Sequence, residues 1–183
     1  MRFTLSLAAL AATLAVAAPA FAKSATVTTP ATAKGVVLLP LTLTKSSDLD
    51  FGTVIASKTA AGTVVINADD GTRSVTGGVV EVPNYAGGRA LFQGAGTADQ
   101  NVVLTLSAPA VLTSGTHNIA VNSMYFDTAG ASANDAVSGL LTTTRKIDDT
   151  GAFEIGVGGD FAITANQANG LYTGAFSVTA EYQ

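Results

Sequence analysis

Residues 170–183 read GLYTGAFSVTAEYQ. Successive side chains of a β-strand point to opposite faces. Here Tyr172, Gly174, Phe176, Val178, Ala180 and Tyr182 share one apolar face, and Thr173, Ser177, Thr179 and Glu181 share a polar one. A half-buried strand over 171–182 is therefore expected, with its register fixed by the apolar set. At a sheet edge, such a strand leaves a row of backbone groups that proteins normally protect.

The same period of two recurs upstream in short runs rich in Val, Thr, Ile and Phe. Strands are expected over 41–45, 49–56, 63–68, 74–82, 90–96, 102–107, 119–126, 140–147, 151–157 and 161–164. Asp69-Asp70-Gly71-Thr72 carries an Asp-Gly hairpin signal. Residues 148–151 and 157–160 read as further turns, and 129–139 as an exposed loop. No apolar pattern of period 3.6 follows residue 22, so the fold class expected is all-β, an antiparallel sandwich or barrel.

The first residues look different. Met1-Arg2 supplies a positive start, residues 3–16 are almost wholly apolar or small, and Pro19-Ala20-Phe21-Ala22 ends in a small-x-small pattern. This reads as a signal peptide over 1–22, cleaved before Lys23, and the apolar run is short for a spanning helix. Export and a periplasmic, surface or secreted location follow as expectations. No later stretch is apolar enough to span a bilayer, so no membrane insertion is expected after cleavage. Removing 1–22 would leave 161 residues, enough for one cored domain. The chain has no cysteine, so packing, the sheet ladder or a partner must stabilise it. Eight basic side chains would then face thirteen acidic ones, a net charge of −5 with no basic cluster. That balance excludes nucleic acid or anionic lipid as an expected partner.

Residues 24–43 alternate again. Odd positions from Ala25 to Leu43 are small or apolar, and most even ones are polar. This is one long extended pattern with one face to bury. Pro30 keeps its first part out of the middle of a sheet. Two readings stand: residues 23–35 form a frayed N-terminus, or they are a strand that adds to another molecule's sheet edge through Ala25, Val27, Thr29, Ala31 and Ala33.

Signs of chemistry are few. His117 is the single histidine, in a Ser-Gly-Thr-His-Asn turn, and no Gly-x-Ser-x-Gly elbow accompanies it. Asp69-Asp70 and Asp148-Asp149 lack the alternating acid spacing of a calcium loop and read as turn chemistry. Gly156-Val157-Gly158-Gly159 lacks the spacing of a dinucleotide fingerprint. Tyr85 with Phe92, or Tyr125 with Phe126, could line a sugar-binding face, but strand aromatics are more often core. No enzyme, cofactor or metal is expected.

The terminal segment resembles the C-terminus of chaperone–usher pilins, with a penultimate Tyr182 and a Gly170 fourteenth from the end, on the same face. More of the chain resembles a bacterial family catalogued as a domain of unknown function (number 4402), related to the common-pilus (Mat/Ecp-type) subunits. The shared features are Asp48 to Val54, Gly62 to Ile66, Gly158-Gly159, Ala165-Asn166-Gln167 and Gly170 to Gly174. The resemblance implies an immunoglobulin-like sandwich over 36–183 that lacks one strand, with 23–35 as the donor to a neighbour's groove. It implies a groove and assembly strand built on Gly170, Tyr172, Phe176, Val178, Ala180 and Tyr182. It also implies partners: identical or related subunits, a periplasmic chaperone and an outer-membrane usher. The rival reading is a self-contained secreted adhesin or glycan-binding module.

Overall fold

The computed structural model describes residues 28–109, 111–127 and 140–183. The expected signal segment 1–22, Ala25, Val27 and the expected loop 129–139 lie outside them. The chain divides into two units, 1–36 and Val37–Gln183. In the first, residues 28–36 carry no strand. The second is all-β: β1 (Thr42–Ser47), β2 (Val54–Ala56), β3 (Gly62–Ile66), β4 (Arg73–Gly77), β5 (Val79–Glu81), β6 (Ala90–Ala95), β7 (Asn101–Ser107), β8 (Val111–Ser114), β9 (His117–Phe126), β10 (Leu140–Lys146), β11 (Ala152–Ile163) and β12 (Ser177–Tyr182).

β11 organises the larger sheet. Its first half pairs with β6, from Ala152 opposite Ala95 to Val157 opposite Ala90. Its second half pairs with β3 on the same edge, from Gly159 opposite Ile66 to Ile163 opposite Gly62. The other edge carries β9, with Val157 opposite Phe126. β1 extends the sheet beyond β6, β4 beyond β3, and β8 beyond β9. A three-stranded sheet, β10-β7-β12, faces it, and β2 with β5 makes a two-stranded ribbon. Every ladder is antiparallel, and the architecture is β-sandwich-like.

The main core lies between the two larger sheets. Phe92 from β6, Met124 and Phe126 from β9 and Ile155 from β11 meet Val102, Leu104 and Leu106 from β7. Val178, Ala180 and Tyr182 pack on it from β12, half-buried. A second cluster gathers Val64, Val79, Ile119, Phe161 and Ile163, with Phe51 set edge-on to Phe161 at 4.5 Å. Each fully covered Ile, Leu or Phe side chain stabilises the fold by roughly 1.5–3 kcal/mol.

Several expectations need correction. Residues 151–157 and 161–164 form one strand, not two around a Gly-Gly turn. Gly156 and Gly158 are instead packing residues: the backbone of Ile66 to Ala68 crosses so closely that a Cβ on either would collide with it. The run 74–82 is two strands, broken where Gly77 takes φ +67°. Only Val54–Ala56 of the expected 49–56 strand is formed, and only Ser177–Tyr182 of 171–182. β8 had no expected counterpart. The extended pattern of 24–43 yields a strand only from Thr42, and its buried face starts at Leu41: Val37 is 96% exposed and Leu39 63%. Phe92 and Phe126 belong to the core, and the Tyr125 hydroxyl donates to the Ile66 carbonyl at 2.9 Å. His117 opens β9 as an exposed residue rather than sitting in the turn before it.

The two Asp turns hold as expected. Asn67–Thr72 closes the β3–β4 hairpin, with the Gly71 N–H donating to the Asn67 carbonyl. Asp148 closes the β10–β11 turn: its Oδ1 accepts from Thr150 N, Thr150 Oγ1 and Ala152 N at 2.7–2.9 Å. Chief among the causes, the Ala152 N–H bond holds the Asp148 carboxyl below its ordinary pKa. A depressed folded-state pKa contributes stability above the unfolded value, and that contribution is lost as pH falls through the folded one. The expected result for Asp148→Asn is a lower Tm at pH 7 and a shallower loss than wild type below about pH 4. Thermal unfolding followed from pH 7 to 2 measures it.

Candidate functional site

A groove opens on the side of the domain where the terminal segment changes sheets. Thr173 bridges to Thr113 beside β8 in the larger sheet, with N–H to carbonyl distances of 2.8 and 2.9 Å in the two directions. Four residues later the chain pairs with β7. Between these ladders, residues 174–176 cross from one sheet to the other unpaired by any strand. Gly174 permits the crossing, because a Cβ there would lie 2.7 Å from Leu112.

The opposite wall is 48–56. Its backbone folds back on 82–88 through the Asp50–Gly88 bridge and the Thr53 N–H bond to the Tyr85 carbonyl at 2.9 Å. The turn at Gly52 has φ +72°, and the Asp50 carboxylate accepts its N–H at 2.7 Å. Arg73 locks this wall from inside. Its side chain is 3% exposed, and Nη1 donates to the carbonyls of Tyr85, Thr53 and Phe51 at 2.7, 3.2 and 3.3 Å. Its Nε lies 3.6 Å from the Glu81 carboxylate, an ion pair too long for a hydrogen bond. Arg73→Met would remove the guanidinium from the Phe51, Thr53 and Tyr85 carbonyls, of which the last two keep the Val82 and Thr53 N–H groups as donors, and a loss of about 2 kcal/mol is expected on urea unfolding. Arg73→Lys should recover part of it, since an ammonium is a compact charge without the planar fork.

Between the walls lies a cavity of about 930 Å³ with an apolar floor from Leu112, Ile119, Val121, Met124, Phe161 and Ile163. A second space of about 470 Å³ shares Asp48, Leu49, Gly174 and Phe176 with it and continues toward Phe92 and Val178. Of the expected groove residues, Gly170, Tyr172, Phe176 and Val178 line these spaces. Ala180 and Tyr182 share their face farther along β12, against the core. Gly170 passes so close to Ser114 that a Cβ would collide with its hydroxyl. Tyr172 is held by its hydroxyl, which donates to the Ala168 carbonyl at 2.7 Å and accepts from Gln167 Nε2 at 2.8 Å. Phe176 meets Phe92 edge-on at 6.1 Å. Tyr182 accepts from the Thr97 N–H at 2.7 Å and donates to the Leu39 carbonyl at 2.8 Å.

The groove also borders backbone that no strand uses. The Gln183 N–H donates to the Asn101 carbonyl, which makes the odd residues of β12 the hydrogen-bonded partners of β7. The N–H and C=O groups of Val178, Ala180 and Tyr182 therefore face the outer edge, where no strand among the described residues pairs with them. The site thus joins an apolar trough to an open ladder.

The family model described as a domain of unknown function, DUF4402, matches residues 41–182. The chain belongs to that family. No curated protein and no solved structure matches it. The DUF4402 match contains both groove walls, whereas the expected donor residues Ala25 to Ala33 precede it. Of these, Thr29, Ala31 and Ala33 are described, and none lies in a strand. Among the described residues of this DUF4402 domain, no three His, Cys, Asp or Glu side chains are grouped as a metal site requires, and no helix is long and apolar enough to cross a membrane.

The floor of the groove was not foreseen from the sequence. Ile119, Met124 and Phe161 read individually as strand residues and Leu112 lay in no expected strand, and nothing in their spacing says that they line one cavity. The one available signal was the Asp48–Val54 motif, whose alternation of acid, apolar and Gly residues marks the wall.

Proposed function

We propose that the chain is a structural subunit of a bacterial surface filament, assembled when one copy donates a β-strand to the next. The observation that carries this reading is the apolar groove that meets the unpartnered edge of β12 at Ser177 and Val178. An added strand would use both features together: main-chain hydrogen bonds to the open edge, and alternate side chains into the trough. Each 100 Å² of apolar surface it covered would contribute about 2.5 kcal/mol.

In this reading the domain is an immunoglobulin-like sandwich short of one strand, and residues 23–35 of a neighbour supply it. The protein is exported, held in the periplasm by a chaperone that covers the groove, and assembled at an outer-membrane usher. It is structural rather than enzymatic. The pilin resemblance of Gly170 and Tyr182 supports the reading, as does the small, alternating character of Ala25, Val27, Thr29, Ala31 and Ala33. Donation joins two different surfaces of the same chain, so the contact does not close and repeats into a fibre.

The test is a gel of cell-surface material in SDS, cold and boiled, probed for this chain. A high-mass ladder that survives cold SDS and collapses to one band on boiling is the expected result. A single monomer band in both lanes would overturn the reading in favour of a self-contained module.

A further inference from the structure

Among the described residues, two apolar patches outside either core bear on assembly. The first is Val37 to Leu39, where Val37 is 96% exposed and Leu39 63%. This run is fastened by its backbone: the Leu39 N–H donates to Thr97 Oγ1 at 2.7 Å, and the Leu39 carbonyl accepts from the Tyr182 hydroxyl. Its side chains are thus presented to solvent by an anchored chain. The second patch is the mouth of the groove, where Ile55 is 58% exposed and Leu171 82%, on facing walls. Single exposed apolar residues are ordinary, but grouped ones mark contact surfaces.

We propose that Val37–Leu39 of one copy seats on the Ile55 and Leu171 rim of the next, forming a body-to-body junction beside the donated strand. The inference rests on the strand-donation reading. Direction supports it. Every ladder in the domain is antiparallel, and a donated strand that follows suit runs opposite to 170–182. Its C-terminal end then leaves the groove at Leu171, beside Ile55. Ala33 to Val37 is four residues, at most about 14 Å of extended chain, so the anchored run of the donor emerges at that rim. The two patches also sit at opposite ends of the terminal segment, one at Tyr182 and the other at Leu171. A contact between them is head-to-tail and compatible with indefinite repetition.

The experiment uses the full chain and measures how fast assembled filaments shed subunits in dilute denaturant. Val37→Ser with Leu39→Ser should keep the cold-SDS ladder yet shed subunits about tenfold faster, the effect of losing roughly one apolar side chain's burial. Ile55→Ser should show a similar acceleration, and adding it to the double variant should change nothing further, because both remove one contact. An unchanged rate in the double variant, or effects that multiply, overturns the junction while the ladder leaves strand donation standing. A wild-type chain with no ladder overturns both.

Discussion

Gly158→Val should lower the stability of this domain by about 3 kcal/mol or more, the upper range for overpacking, because the obstacle is main chain. A Cβ at Gly158 would fall inside contact distance of the Ile66 carbonyl oxygen and 2.6 Å from the Ala68 nitrogen. Neither can rotate away. Ile66 is fully buried and Ala68 1% exposed, so the crossing segment has no room to lift. The cause lies in the topology. β6 and β3 follow one another along one edge of β11, and where one gives way to the other, residues 66–68 cross the outer face of the strand. For a domain of this size, such a loss corresponds to a Tm lower by about 6–12 °C. Gly88→Ala is the control, since a Cβ there meets nothing within 4 Å. It should stay within about 0.5 kcal/mol of wild type.

That glycine also shows where sequence and structure part. Period-two alternation located β1, β3, β6, β7, β9 and β10 to within a few residues, because each has one face on a core and the other in water. It misread Gly156 to Gly159 because Gly-Gly has two physical uses, a turn and a close backbone approach, and a single sequence does not distinguish them. The long buried strand β11 is the typical casualty: with both faces of its middle covered, alternation disappears there. β8 was missed for the opposite reason. It is four residues long and sits at a sheet edge, so its half-exposed side chains leave little pattern. The site followed the same rule. Tyr172, Phe176 and Val178 were legible because one alternating run of sequence carries them, although only Val178 lies in a strand, whereas the floor depends on which strands become neighbours, and that is a property of topology.

Deleting residues 23–35 should abolish filaments and leave a folded monomer that ends the filaments of others. The segment precedes the DUF4402 match, and the anchors of Leu39 to Thr97 and Tyr182 lie beyond the cut. The groove therefore survives while the strand that would fill a neighbour is gone. Such a chain can accept but not donate. Mixed with wild type, it adds at one end and stops growth there, because head-to-tail assembly needs both surfaces on every copy. One truncated copy in ten should hold filaments to on the order of ten subunits, a shortening readable by electron microscopy or by the height of the cold-SDS ladder. The dose dependence is what discriminates. If residues 23–35 only frayed, the truncated chain would assemble like wild type and the mixture would keep its full length. If they merely stabilised the monomer, the truncated chain would unfold at a lower temperature and drop out without capping anything. Shortening in proportion to the truncated fraction, at an unchanged monomer Tm, is expected only when the open edge of β12 and the trough beside it receive a strand from another copy.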